Sequence, residues 1–288
     1  MKKIMTAALI ISMAVLMMVG CKKADSNDSS AASQGDQESS QESSQESSEA
    51  TGTKRLEKGQ KLIIGTNAEF PPFEYVKANG VIGEFDGVDM AIAKEIGERL
   101  GMEVEISNMD FNALIPALDA DRIDCALAGM TITEERLLEA DFSDPYYTAI
   151  QAIVVPASDE TTQKVEDLAG KKVGVVTGYT GALTMKDAKF DVTLEHYTKG
   201  VDGAADLRNG RIDALIIDKP VAETFLGDDN DLKIITDQKY FEDEKFGIAV
   251  KKGETEVVKQ LNEVLKAMTE DGTIDKIILD YVGVVSGE

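Results

Sequence analysis

Arg136 is the residue whose type and surroundings best suit it to recognition chemistry. It follows Thr131-Ile132-Thr133-Glu134-Glu135, where threonines ahead of an acidic pair read as the start of a helix. From there a planar guanidinium could present a bidentate fork to a carboxylate, with backbone N–H groups beside it. The alternative is an arginine on a solvated helix face. Four turns share a polar or glycine-rich character: Gly65-Thr66-Asn67, Ala128-Gly129-Met130-Thr131, Thr177-Gly178-Tyr179-Thr180, and Asp218 after Leu215-Ile216-Ile217. Each closes a strand-like run, and in open α/β sheets ligands bind beyond the carboxyl ends of the strands. Metal and nucleophilic chemistry are poorly supplied. One histidine, His196, and two cysteines exclude a His/Cys zinc cluster within the chain, and a Ser-His-Asp triad could use only His196. No metal, no cofactor and no catalytic residue is expected.

The elements that hold these turns follow from pattern. Lys61 to Ile64 is strand-like, and Val88 to Leu100 sets Val88, Ala91, Ile92, Ile96 and Leu100 on one helical face before Gly101 stops it. A strand at Glu103 to Ile106, a helix around Ala113 to Leu118 and a buried strand at Ile123 to Leu127 follow. The second half repeats the plan: strands at Lys172 to Val176, Val192 to Tyr197 and Ile212 to Ile217, with helices at Thr180 to Ala188 and Ala204 to Arg208. Such alternation implies parallel sheets flanked by helices. An internal echo, Asp121-Arg122-Ile123-Asp124-Cys125-Ala126-Leu127 against Gly210-Arg211-Ile212-Asp213-Ala214-Leu215, points to two lobes of related layout. Gln151 to Val155 and Phe246 to Val250 read as the two crossings between them. The helices Glu256 to Thr269 and Thr273 to Tyr281 complete the first lobe. Two lobes on two strands make a hinge, and hinged lobes bind ligands in the cleft between them.

The N-terminus reads as an address. Lys2 and Lys3 precede an apolar run from Ile4 to Val19, the pattern of a signal peptide, and Val19-Gly20-Cys21 resembles a bacterial lipobox. Residues 1–20 are then a lipoprotein signal peptide, with Cys21 lipidated (palmitate among its lipids) and the protein tethered to the outer face of the cell membrane. Residues 21–56, rich in Ser, Glu and Gln with three QESS units, form a disordered stalk. Lobe 1 comprises 57–149 plus 247–288, and lobe 2 comprises 150–246. Cys125, in an apolar stretch, reads as a buried structural thiol. Of the 288 residues, 53 are acidic and 30 basic, a net charge of −23. Most of that excess falls after residue 53, in the folded part. Nucleic acid is excluded as a partner, since phosphate neutralisation needs a basic face. The same field opposes an anionic ligand and tolerates or attracts a neutral or cationic one.

Gly65 to Glu74 (GTNAEFPPFE), Met109 to Leu118 (MDFNALIPAL), Ala126 to Tyr147 (ALAGMTITEERLLEADFSDPYY) and Gly210 to Asp218 (GRIDALIID) together resemble the extracellular solute-binding proteins of family 3. These are the amino-acid receptors of ABC importers, and the resemblance runs from Leu62 to the C-terminus. It implies a two-lobed periplasmic-binding-protein-like α/β fold of type II, with two hinge strands and a ligand cleft between the lobes. It implies that Arg136, Thr131 and Thr180 hold the ligand carboxylate, and that Asp218 and the Gly129 carbonyl hold its ammonium. Phe70 and Phe111 would flank its side chain, although on residue type alone both are core candidates. Asn67 lies where many members carry an acid facing that side chain. Glu69 answers a cationic ligand or faces solvent. In the first helix, Ala91 stands where the family usually has a second acid, a matter of lobe packing.

The function implied is capture of an L-amino acid, polar uncharged or basic, by hinge closure, and its delivery to a membrane permease with its ATPase. A monomer and a non-enzyme are expected. A sensor or adhesin lipoprotein is the nearest alternative, and an exported dehydratase of the same fold a more distant one. The dehydratase needs a poised acid/base pair, and the matched cleft offers only Asp218.

Overall fold

A computed structural model of the chain describes residues 54–227 and 230–283. The leader, Cys21 and the stalk up to residue 53 lie outside the described residues. The first sheet is ordered Glu103–Asn108, Lys61–Thr66, Cys125–Ala126, Ala249–Lys251, Ala140–Phe142. Its first three strands are parallel, with Lys61 opposite Glu103 and Ile64 opposite Cys125. Ala249–Lys251 enters antiparallel, between Ala126 and Phe142. The second sheet repeats this plan as Thr193–Tyr197, Lys172–Val176, Ala214–Asp218, Gln151–Pro156, Leu232–Ile235. Again three strands are parallel and the fourth and fifth join antiparallel.

The internal echo occupies the same central place in both sheets. In the first lobe, Asp124 accepts a hydrogen bond from the Ile63 N–H (2.7 Å) and its own N–H donates to the Ile63 carbonyl (2.8 Å). In the second, Asp213 makes the same reciprocal pair with Lys172, at 2.8 Å in both directions. Two residues along, the strands touch equivalent isoleucines. A methyl group at Gly65 would lie 2.4 Å from Ile123 Cδ1, and one at Gly174 would lie 2.7 Å from Ile212 Cδ1. Only glycine lets that side chain lie flat on the strand. The aspartate, the isoleucine and the glycine thus form one packing device, used twice.

Helices cover the first sheet as the periodicity predicts. Val88–Leu100 buries Val88, Ile92 and Ile96 completely, each worth about 1.5–3 kcal/mol by transfer from water. It packs against the C-terminal helices Thr255–Glu270 and Thr273–Val282, whose Val257, Leu261, Val264, Leu265 and Met268 form an amphipathic stripe. Lys54 to Leu56, assigned to the stalk from composition, belong to this layer. Leu56 is buried, its N–H donates to Gln260 (2.8 Å), and the Lys54 N–H donates to Glu254 (2.7 Å). One leucine suffices to pin the segment, whereas composition averages it away.

The crossings differ from the sequence reading. Tyr147–Ala149 pairs antiparallel with Glu244–Phe246 as a separate two-stranded ribbon. Gln151–Pro156 and Ala249–Lys251 lie within the two sheets instead. The run from Gln151 to Val155 is buried throughout, which is what a central strand requires. A short half-exposed ribbon carries little apolar signal to reveal it.

Candidate functional site

The Arg136 loop leaves the Cys125–Ala126 strand and enters the Glu134–Glu139 helix, whose cap is Thr133: its hydroxyl accepts from the Arg136 N–H at 3.2 Å. The cap turns the arginine side chain back across the cleft. Its Nη1 donates to the Thr131 carbonyl (2.6 Å) and its Nη2 to the Gly178 carbonyl in the second lobe (3.0 Å). The guanidinium carbon stands 5.0 Å above the Phe111 ring, a cation–π distance. Three of its five N–H donors have no hydrogen-bond partner among the described residues. Burial pulls its pKa down, and Glu244 and Asp218 act against that.

Asp218 ends the Ala214–Asp218 strand in the other lobe. It is 3% exposed, and its Oδ1 has no hydrogen-bond partner among the described residues. Burial, then the neighbouring Glu244, push its carboxyl well above the usual range. A buried acid left in this condition is costly unless a cation answers it. Arg136 and Asp218 line one small cavity together with Gly129, Thr131, Thr180, Phe70 and Phe111. The open space is about 10 Å³, room for about one water molecule. Seven of the residues singled out from sequence therefore converge.

Gly129 reaches this wall in the left-handed region, at φ +51°, and a Cβ there would lie 2.6 Å from the Phe70 ring. Its N–H donates to Asp89 (2.8 Å), which also accepts from the Tyr146 hydroxyl (2.9 Å). Behind Asp89 lies Glu74, fully buried, whose carboxyl hydrogen-bonds Asp89 when it carries its proton. Burial, then Asp89, raise the Glu74 pKa well above the usual range, and burial pushes Asp89 up to about 6. Two buried acids side by side thus release their protons at higher pH than solvated ones would.

The threonine hydroxyls are engaged differently from what the resemblance implied. Thr131 Oγ1 and Thr180 Oγ1 both donate to one oxygen of Glu244, at 2.9 and 2.7 Å, and Gln151 adds a longer bond at 3.3 Å. Glu244 sits on the hinge ribbon, so one carboxylate oxygen gathers a hydroxyl from each lobe. Sequence reasoning missed it, because an acid in the run Glu242-Asp243-Glu244 reads as solvated surface. Tyr179 was seen only as a member of a turn. Its ring meets Phe70 and Phe111 edge-on, with centroids 5.2 and 5.0 Å away, and its hydroxyl donates to Asn67 Oδ1 at 3.2 Å.

Two of the singled-out residues stand apart from the Arg136–Asp218 cavity. Asn67 lines a neighbouring cavity and donates to the Met109 carbonyl (3.0 Å). Glu69 pairs with Lys199 across the cleft mouth at 2.7 Å, with its side chain 35% exposed. Elsewhere, Cys125 is buried and unpaired by disulfide, and burial pushes its thiol up. Among the described residues no cluster of three or more His, Cys, Asp or Glu could hold a metal, and no helix is long and apolar enough to cross a membrane.

Comparison with known proteins assigns the chain to a family. The arginine-binding extracellular protein ArtP of Bacillus subtilis (strain 168) is 36% identical over 222 residues, covering 76% of this chain and 84% of ArtP. The ABC transporter glutamine-binding protein GlnH of the same organism is 32% identical over 287 residues, covering 98% of each chain. Among solved structures, an ancestral arginine-binding protein bound to glutamine superposes with a TM-score of 0.72 at 40% identity, covering 78% of this chain and 98% of that one. The family model described as bacterial extracellular solute-binding proteins, family 3, matches residues 62–284. By that match and those identities, the chain belongs to the bacterial extracellular solute-binding proteins of family 3.

Proposed function

We propose that this protein is the extracytoplasmic substrate-binding component of an ABC importer, capturing an L-amino acid by hinge closure and handing it to a permease and its ATPase. The observation that carries the reading is the opposition of Arg136 and Asp218, from different lobes, around one buried cavity. A zwitterion answers both charges at once: its carboxylate on the open guanidinium donors, its ammonium on the Asp218 carboxylate and the Gly129 carbonyl. Ligand then joins the lobes and favours the closed arrangement. The relatives support the ligand class, since ArtP is named for arginine and GlnH for glutamine. The ligand side chain is polar uncharged or basic. Lobe 1 is 57–149 with 247–288, with Lys54 to Leu56 packed against it, and lobe 2 is 150–246. The protein works as a monomer, lipid-anchored through Cys21 on the outer face of the membrane, and makes or breaks no bond.

A thermal-shift screen of the twenty amino acids on residues 54–288 tests this. A specific ligand at a hundred times its Kd adds about 2.7 kcal/mol of stability, and a flat response to all twenty overturns the reading. For the anchor, Cys21→Ser should abolish acyl labelling in cells, and persistent labelling would refute it.

A further inference from the structure

Tyr179 occupies the place that a ligand side chain would need. It stands at the mouth of the Thr180–Lys186 helix in the second lobe, yet its ring is inserted between Phe70 and Phe111 of the first. Its hydroxyl is fixed by Asn67, and burial raises its pKa so that the hydroxyl stays a donor. On one side of the ring lies the 10 Å³ cavity of Arg136 and Asp218. Next to it lies a second cavity of about 380 Å³, also lined by Asn67, Asp110, Asn112, Thr177 and Thr198. Tyr179 and Phe111 line both. The larger space alone falls within the range of small-molecule pockets, and the smaller one does not.

We propose that Tyr179 is the specificity-determining wall of the site, its ring standing between the Arg136–Asp218 cavity and the second cavity and so limiting the length of side chain the site accepts. The inference rests on the amino-acid reading above and deepens it. An L-amino acid gripped by Arg136 and Asp218 directs its side chain towards the Phe70–Phe111 slot, and there it meets the tyrosine. A short side chain stops at the ring. A long one must push the ring out, breaking two aromatic contacts and the bond to Asn67, before its tip can reach Asp110. Only a long ligand bears the loss of those contacts, so the wall discriminates by length. A smaller residue at position 179 joins the two cavities and leaves a channel from Arg136 to Asp110.

Calorimetry on the wild type, Tyr179→Ala and Tyr179→Phe tests this, with L-serine, L-glutamine, L-citrulline and L-arginine as probes. Citrulline has the length of arginine without its charge. The wild type should bind serine or glutamine in preference to citrulline and arginine. Tyr179→Ala should raise the affinity of both long ligands relative to serine at least tenfold, and Tyr179→Phe, which keeps the wall, should stay within about threefold of wild type. Unchanged ratios in Tyr179→Ala overturn the proposal, as does a gain confined to arginine, which would make the effect one of charge. Tight arginine binding by the wild type overturns it too. If no probe binds wild type or either variant, this inference falls, and the amino-acid reading stands or falls separately with the screen of all twenty; a flat length profile over measurable binding likewise removes only the inference.

Discussion

Glu244 holds the hydroxyls of Thr131 and Thr180 on one oxygen, so its removal leaves both donors without their acceptor. An unsatisfied buried polar group costs about 1–3 kcal/mol. Glu244→Ala should therefore weaken amino-acid binding by tenfold or more in calorimetry, chiefly through faster release, because the closed arrangement loses its clasp on the hinge side. An unchanged dissociation rate by stopped flow would count against the clasp. Arg136→Ala should abolish binding with the far-UV circular dichroism unaltered, and Arg136→Lys should restore little of it, since an ammonium cannot serve two backbone carbonyls and a ligand carboxylate in one plane. Asp218 was legible because it closes an apolar strand, whereas Arg136 read equally as a solvated helix residue until the resemblance of its segment was taken into account; both line one cavity. Glu244 and Tyr179 were not legible. What singles them out is where their tips end after the two lobes meet, and no local spacing encodes that.

Asp89 in the first turn of the Val88–Leu100 helix, bonded to the Gly129 N–H, forms an acid pair with Glu74. Asp89 titrates near 6 in the folded protein, against an ordinary value of 3.8, and Glu74 is raised as well. This pair binds more protons in the native state than in the unfolded chain across that window, so its contribution to stability is greatest on the acid side and falls as pH rises from about 4 through 6. For Asp89 alone the fall amounts to about 3 kcal/mol at most. Asp89→Asn should flatten the slope of chemical-denaturation stability against pH, while keeping an oxygen to accept from Gly129. A slope identical to wild type would remove the pair from the account. At this scale the sequence was read well where elements are long or apolar. Val88–Leu100 has the predicted bounds, and Lys172–Val176 does too. It was read poorly at the ribbon of Tyr147–Ala149 and Glu244–Phe246, where three residues per strand leave no period to detect.

The acidity of the whole molecule acts on ligand choice as well as on solubility. With Asp218 and Glu244 beside the site and a net charge of −23 on the chain, an amino acid with an anionic side chain meets repulsion at every stage of approach. Glutamate should bind at least a hundredfold more weakly than glutamine in competition calorimetry, with the gap narrowing as salt rises. Comparable affinities would show that the field is screened out at the site. A different consequence follows from the order of strands in the two sheets. The second sheet draws all five strands from Gln151 to Ile235 without interruption, whereas the first needs Ala249–Lys251 between Cys125–Ala126 and Ala140–Phe142. As a chain emerges from its N-terminus, the lobe that starts first therefore cannot finish first. Its strands up to Phe142 wait, with their central gap open, while the inserted lobe completes itself. The sheet that carries the Arg136 loop is thus complete only when a strand from beyond the second lobe is in place.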